Sequence, residues 1–238
     1  LVKRIDLRAA NKKAFENLLL AGGMDSFGET HRAQYLNPDG DGITFLEKVI
    51  RFGSKYQENL NSAQTSLFGE ETDETYQDLT IPPSEPWKNL IRLKKEKEVV
   101  GIYISSHPLD DFTHEIEHFI TLSLNQLGDL DRLVNREFSV GGIVNEIQHL
   151  ESRNGKAWAR FMVEDFSDQY EFRIFGEDYL KYRHFLVVNQ FIRIRTMVRP
   201  GWTNKETGKV GSPRIQYLSF EMLQNTVETN SKKLTIQL

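Results

Sequence analysis

Residues 158–175 read WARFMVEDFSDQYEFRIF, and their alternation decides the fold of the second half of the chain. Side chains along a strand point to opposite faces in turn, so a half-buried strand shows a period of two. In Trp158–Val163, Ala159, Phe161 and Val163 share one face, while Trp158, Arg160 and Met162 share the other. In Tyr170–Phe175, Tyr170, Phe172 and Ile174 go inward and Glu171, Arg173 and Phe175 go outward. Guanidiniums stay wet unless paired, so the face with Arg160 and Arg173 is the solvent face. A slip of one residue would exchange the two faces.

Working outward, Phe138, Val140, Ile143, Val144 and Ile147 make a preceding strand, with Gly141-Gly142 permitting a bend. Arg153-Asn154-Gly155-Lys156 is a hairpin signal. A short helix follows over Gly176–Phe185, with Tyr179, Leu180 and Tyr182, and then strands at Phe191–Val198 and Ile215–Leu218. Five strands with a helix between the third and fourth is the OB plan.

Upstream the period is helical. Ala14, Leu18, Leu19 and Leu20 give an apolar face that Ala21-Gly22-Gly23 stops. Helices are expected at Thr30–Leu36, at Phe45–Leu60 with Phe45, Val49, Phe52, Tyr56 and Leu60 in step, at Trp87–Tyr103 with Leu90, Leu93 and Val100 inward, and at Leu109–Ile120. The run Lys94-Lys95-Glu96-Lys97-Glu98 reads as a solvated helix face. Asn61–Pro86 is polar, with six acids and no base from Glu70 to Glu85, and reads as a linker. The expected fold is therefore α+β: a small helical domain over 1–60, a linker over 61–86, a helical connecting region over 87–135, a five-stranded OB-fold β-barrel over 136–225 and a tail over 226–238.

The chain has no cysteine, which excludes disulfides and thiolate metal sites and fits a reducing cytoplasm. No apolar run is long enough to span a bilayer, so no membrane partner is expected. The first residue is Leu1, not Met, and the chain reads as a piece of a longer protein. Net charge is −4, against nucleic-acid binding at first sight. Its distribution is uneven: residues 1–135 hold 15 basic and 22 acidic residues, net −7, and residues 136–238 hold 15 and 12, net +3. Arg193–Arg214 alone carries Arg193, Arg195, Arg199, Lys205, Lys209 and Arg214 against Glu206. A local positive stripe attracts phosphate even on an acidic chain.

Two motifs suggest metal chemistry and are discounted. His114-Glu115-Ile116-Glu117-His118 matches the zinc-hydrolase pattern H-E-x-x-H, but no third ligand or cleft is evident, so two exposed histidines on a surface helix are favoured. Asn37-Pro38-Asp39-Gly40-Asp41-Gly42 opens like a calcium loop, but the position of the bidentate Glu holds Lys48. Gly22-Gly23 is not followed by Gly-Lys-Ser/Thr, so it is no phosphate-cradling loop. No catalytic set, metal site or cofactor is expected in these residues.

Two other features point to binding. Gln64-Thr65-Ser66-Leu67-Phe68 sets an adjacent Leu and Phe in a polar stretch, open to a partner's apolar pocket, with Gln64 able to fix register. The same two side chains could instead fold back on neighbouring helices, and the residues alone leave both readings open. The second feature is the outward barrel face, where Trp158 stands beside Arg160 and Arg173. The loop between strands one and two adds Arg153, Asn154 and Lys156. The loop Pro200–Pro213, with its flanks, adds Arg199, Trp202, Lys205, Lys209 and Arg214. Aromatic rings that stack bases, with cations that pair phosphates, suit single-stranded nucleic acid.

Taken in order, these residues resemble the C-terminal region of the bacterial DNA polymerase III alpha subunit family. Asn11–Leu18, Ala21-Gly22-Gly23-Met24-Asp25 and Arg32-Ala33 are similar to its helix-hairpin-helix segment. Gln64–Phe68 is similar to its internal clamp-binding motif, and Glu96-Lys97-Glu98, Gly101-Ile102-Tyr103 and His107-Pro108-Leu109 to the stretch after it. Gly142, Asn154-Gly155-Lys156 and Glu164-Asp165 resemble its OB domain. The resemblance implies a DNA-directed DNA polymerase whose magnesium-dependent active site precedes Leu1, and a tau-binding region beyond Leu238. Gln64, Ser66, Leu67 and Phe68 would dock the beta sliding clamp. Backbone amides at Gly22 and Gly23, helped by Lys12 and Lys13, would touch duplex DNA. The barrel would hold single-stranded template. The chain departs from the family in having Gly22 and Gly23 adjacent, with no paired upstream motif. An RNA-binding OB module, or a zinc hydrolase on His114 and His118, are the alternatives.

Overall fold

A computed structural model describes residues 1–65, 79–202 and 210–230, and of residues 61–65 the backbone alone. The chain divides into two compact units, Leu1–His107 and Pro108–Leu238.

The first unit is helical, with α1 (Lys12–Leu20), α2 (Arg32–Leu36), α3 (Phe45–Thr65) and α4 (Asn89–Val100). Asn11 caps α1 by accepting the Ala14 amide at 3.1 Å, which satisfies an orphan donor of the first turn. The inward face of α1 is Phe15 and Leu19, packed with Val2 and Leu46; Ala14 and Leu18, expected inward, are exposed. Helix α3 runs five residues past Leu60, which is itself exposed, so the expected linker starts inside a helix. Its far end is pinned to the same unit. Gln34 donates to the Pro82 carbonyl, and Asn37 donates to Ser84 and accepts from the Trp87 indole at 3.0 Å.

The run Lys94–Glu98 is not a solvated face throughout. Glu96 is fully buried, and its carboxylate accepts the Ile104 and Ser105 amides, the Ser105 hydroxyl and the Arg32 guanidinium. Buried Arg32 also holds Asp25 at 2.7 Å and the Leu20 carbonyl at 2.8 Å. Gly22 sits against this guanidinium with φ +85°, where a Cβ would be both strained and in collision. Val100, expected inward, is exposed, because the inward side of α4 is Leu93 and Glu96.

The second unit is a five-stranded antiparallel sheet: β1 (Glu137–Glu151), β2 (Ala157–Glu164), β3 (Gln169–Phe175), β4 (Phe191–Arg199) and β5 (Arg214–Met222). Strand order β3-β2-β1-β4-β5, with α6 (Gly176–Tyr182) between β3 and β4, is the OB topology. The two edge strands approach each other where the buried Tyr217 hydroxyl of β5 donates to the Arg173 carbonyl of β3 at 2.9 Å. Burial alternates as expected: Ala159, Phe161 and Val163 on β2 and Phe172 and Ile174 on β3 are buried. Phe161 stacks on Phe172, with Phe220 and Tyr217 close by, and α6 adds Tyr179 and Tyr182 to this core. Leu180, on the same helix, is exposed. At Gly142 the strands come so close that a Cβ would collide with the Glu164 carbonyl oxygen, which is how β1 bends to serve both β2 and β4.

The barrel unit begins earlier than residue 136. The 3₁₀ turns Leu124–Gly128 and Leu130–Leu133 bury Leu124, Leu127 and Leu133 in the barrel core. Asp165 in the β2–β3 turn fixes them by accepting the Leu124 amide at 2.8 Å. Helix α5 (Thr113–Phe119) precedes these turns, and a short helix α7 (Thr226–Asn230) stands where a tail was expected.

Candidate nucleic-acid interface

The register of β2 and β3 places Trp158 opposite Phe175, Arg160 opposite Arg173 and Met162 opposite Glu171. All six side chains lie on the outward face. Trp158 and Phe175 are stacked, with ring centroids 5.1 Å apart and planes 18° apart. Phe175 thereby half-covers Trp158 and is itself 56% exposed. The β1–β2 hairpin closes beside them through the Ser152 amide to the Lys156 carbonyl and the Gly155 amide to the Ser152 carbonyl, both at 2.9 Å. A concavity of about 680 Å³ results, walled by Glu151, Arg153, Lys156, Trp158 and Phe175. Asn154, at the hairpin tip, is exposed and is not part of that wall.

A larger groove of about 1230 Å³ lies where β3 faces β5 across the closure, bordered by Arg173, Arg199, Arg214, Glu171 and Asp178. Arg199 donates to the Gln216 side chain at 2.6 Å. The groove and the concavity share one side chain, Phe175. The period-two pattern puts Phe175 outward without joining it to the binding set. The signal that finds it is the antiparallel register opposite Trp158.

The centre of the face is less cationic than its two arginines suggest. Glu171 pairs with Arg173 at 2.8 Å and lies 3.8 Å from Arg160, whose Nε donates to Gln148. The basic stretch Arg193–Arg214 also divides. Arg193 is nearly buried against Glu221 and the Phe119 ring, and Arg195 pairs with Glu137, so neither joins the groove. Trp202 is 70% exposed at the start of the β4–β5 loop; Lys205 and Lys209 lie outside the described residues.

No family model matches the chain. Curated relatives do. DNA polymerase III subunit alpha of Borreliella burgdorferi is 29% identical over 196 residues, 81% of this chain and 16% of that protein. The Vibrio cholerae protein of the same description is 26% identical over 238 residues, 94% of this chain and 20% of its own. That of Campylobacter jejuni is 30% identical over 175 residues, 72% and 14%. This chain is a relative of the DNA polymerase III alpha subunit. It spans between 14% and 20% of these relatives' length. Likeness to solved structures is slight. A small single-stranded DNA-binding protein from Streptomyces coelicolor gives a TM-score of 0.21 at 13% identity, over 37% of this chain and 94% of that one. The OB assignment rests on strand order instead.

Other candidate residues of this alpha-subunit relative are placed as follows. The Gly22 and Gly23 amides donate to the Leu19 and Leu18 carbonyls at 3.0 and 2.9 Å, so the helix end uses the donors that a phosphate would need. Lys12 pairs with Glu47 and Glu16, and Lys13 with Glu16. These four residues form no open anion site. His114 and His118 are exposed neighbours on α5, ring centroids 4.4 Å apart, and no group of three or more metal-binding side chains occurs among the described residues. In the loop at Asn37–Gly42, Asp39 accepts the Asp41 and Ile43 amides and pairs with Lys48 at 2.5 Å, so an ammonium sits where a cation would. Of the Gln64–Phe68 peptide, Gln64 and Thr65 continue the backbone of α3; their side chains, and Ser66, Leu67 and Phe68, lie outside the described residues. No helix among the described residues is long and apolar enough to cross a membrane.

Proposed function

We propose that this chain binds single-stranded DNA through its barrel and a sliding clamp through Gln64–Phe68, as a template-handling and processivity segment of a replicative polymerase. The observation that carries the first part is the stacked Trp158–Phe175 pair beside Arg153 and Lys156. Base–aromatic stacking tolerates any sequence, and the adjacent cations supply phosphate attraction that weakens with salt. Trp202 and Arg214, on the two flanks of the β4–β5 loop, extend the same end of the barrel. Anisotropy titration of labelled oligo-dT should show affinity falling steeply with salt, and Arg153→Ala with Lys156→Ala should reduce that slope by about 2. Absence of salt-sensitive binding by the unaltered chain defeats the reading. A clear preference for the matched RNA oligonucleotide would favour an RNA reader that senses the 2′-hydroxyl.

The clamp reading is supported by the peptide's composition and by the kinship with alpha subunits. Linkage to a ring on DNA raises effective concentration rather than intrinsic affinity. Calorimetric titration with purified beta clamp should detect binding, and the triple change Gln64→Ala, Leu67→Ala and Phe68→Ala should weaken it at least tenfold. Equal affinity for both chains would remove this role. Magnesium-dependent nucleotidyl transfer and any tau contact are assigned in this proposal to other parts of such a polymerase.

A further inference from the structure

We infer that single-stranded DNA crosses the end of the barrel and turns at Phe175, rather than lying along the centre of the β2–β3 face. This rests on the single-strand reading above and specifies its route. Phe175 is a wall of both the 680 Å³ concavity and the 1230 Å³ groove, so a chain leaving one enters the other beside its ring. The concavity carries Arg153 and Lys156, and the groove carries Arg199 and Arg214, so cations stand on both sides of the aromatic pair. Among the described residues, none of these four forms an ion pair. The acids at this end are Glu151 in the concavity and Asp178 and Glu171 in the groove, with Glu171 held by Arg173 at 2.8 Å.

The centre of the face is a poorer path. Phosphate at Arg160 or Arg173 must displace the Glu171 carboxylate from one and the Gln148 amide oxygen from the other, or be repelled by the carboxylate that remains. A backbone anion therefore gains more at the end: Arg199 gives its Nε to the Gln216 amide oxygen as Arg160 does to Gln148, but among the described residues no carboxylate pairs with Arg199 or Arg214 as Glu171 does with Arg173. The concavity lies within the size range of ordinary ligand pockets and has mainly ring and methylene walls, which suits one unstacked base on the Trp158–Phe175 ledge.

The test compares four variants of the intact chain in anisotropy titrations with labelled oligo-dT of about 12 residues. Phe175→Ala should weaken binding about tenfold and Phe175→Trp should restore it. Arg199→Ala with Arg214→Ala should lower the salt slope by about 2. Arg160→Ala should change affinity less than about twofold. Phe175 is exposed, so its loss leaves the fold intact, which circular dichroism can check. If Phe175→Ala binds normally while Arg160→Ala weakens binding tenfold, the face is the route and this inference is overturned. If neither matters while the unaltered chain binds with salt sensitivity, the strand runs elsewhere and the inference is again overturned. If the unaltered chain does not bind, the single-strand reading fails and takes the route with it.

Discussion

Glu96 and Glu171 are both carboxylates in contact with arginine, and the two units use them in opposite ways. In the helical unit Glu96 is buried and gathers Arg32, two amides and a hydroxyl, so that charge organises the packing of α4 against the chain that follows it. In the barrel Glu171 lies on the wet face between Arg160 and Arg173, while the core beneath it is Phe161, Phe172 and Phe220. A buried ion that loses its partner leaves an uncompensated charge, whereas an exposed one returns to water. The same pair of side chains is thus structural in one unit and a tuning charge in the other.

The largest effect expected from this contrast is at Glu96. Glu96→Ala leaves the Ile104 and Ser105 amides without an acceptor and takes from buried Arg32 one of its two carboxylates, Asp25 remaining, and should cost about 3–5 kcal/mol in urea unfolding. Protection from hydrogen exchange should fall around Leu93 while that of β1 and β4 persists. Arg32→Met with Glu96→Leu removes both charges, yet it leaves the two amides and Asp25 unpaired. That double variant should therefore remain at least about 2 kcal/mol below the unaltered chain. Full recovery would mean that only the ion pair matters and the loop contacts do not.

Acid should expose the same device. Burial by itself raises the Glu96 carboxyl, but the Ser105 hydroxyl and amide, the Ile104 amide and Arg32 together outweigh it and hold it down to about 2. A carboxyl depressed in the folded state stabilises above its unfolded value, here 4.5, and that stabilisation is lost as pH falls from 4.5 towards 2. The full contribution is about 3 kcal/mol. Hydrogen exchange near Leu93 should lose protection across that window, and Glu96→Gln should flatten the dependence. An identical acid profile in the variant would assign the loss to another group.

These two carboxylates also mark what the sequence could and could not convey. The barrel was legible because each strand carries its own evidence: Ala159, Phe161 and Val163 alternate with Trp158, Arg160 and Met162 within a few residues, and Asn154-Gly155 fixes the hairpin. The Trp158–Phe175 ledge needed only the register. Glu96 was not legible, because a Glu among lysines at helical spacing has the pattern of a solvated face, and Arg32, the partner that draws it inward, is 64 residues away. The same holds for α1, where one helical turn offers Leu18, Leu19 and Leu20 and only packing with Val2 and Leu46 selects Leu19. Acid neighbours that quench a basic stretch are equally non-local: Glu221 and Glu137 remove Arg193 and Arg195 from the interface across strand pairs.

The smallest expected effect completes the contrast. Glu171→Gln keeps the shape of the side chain and removes one charge from a partly exposed cluster. Its partner Arg173 is 62% exposed, so both guanidiniums can turn to water when the carboxylate goes. Exposed pairs of this kind contribute less than about 1 kcal/mol, and the urea midpoint should shift accordingly little. The isosteric change at Glu96 removes the same charge and should cost several times more, because there Arg32 has no water to turn to. If the two Gln variants lose equal stability, burial is not what separates these carboxylates, and the Arg32–Glu96 contact must be far wetter than its geometry indicates.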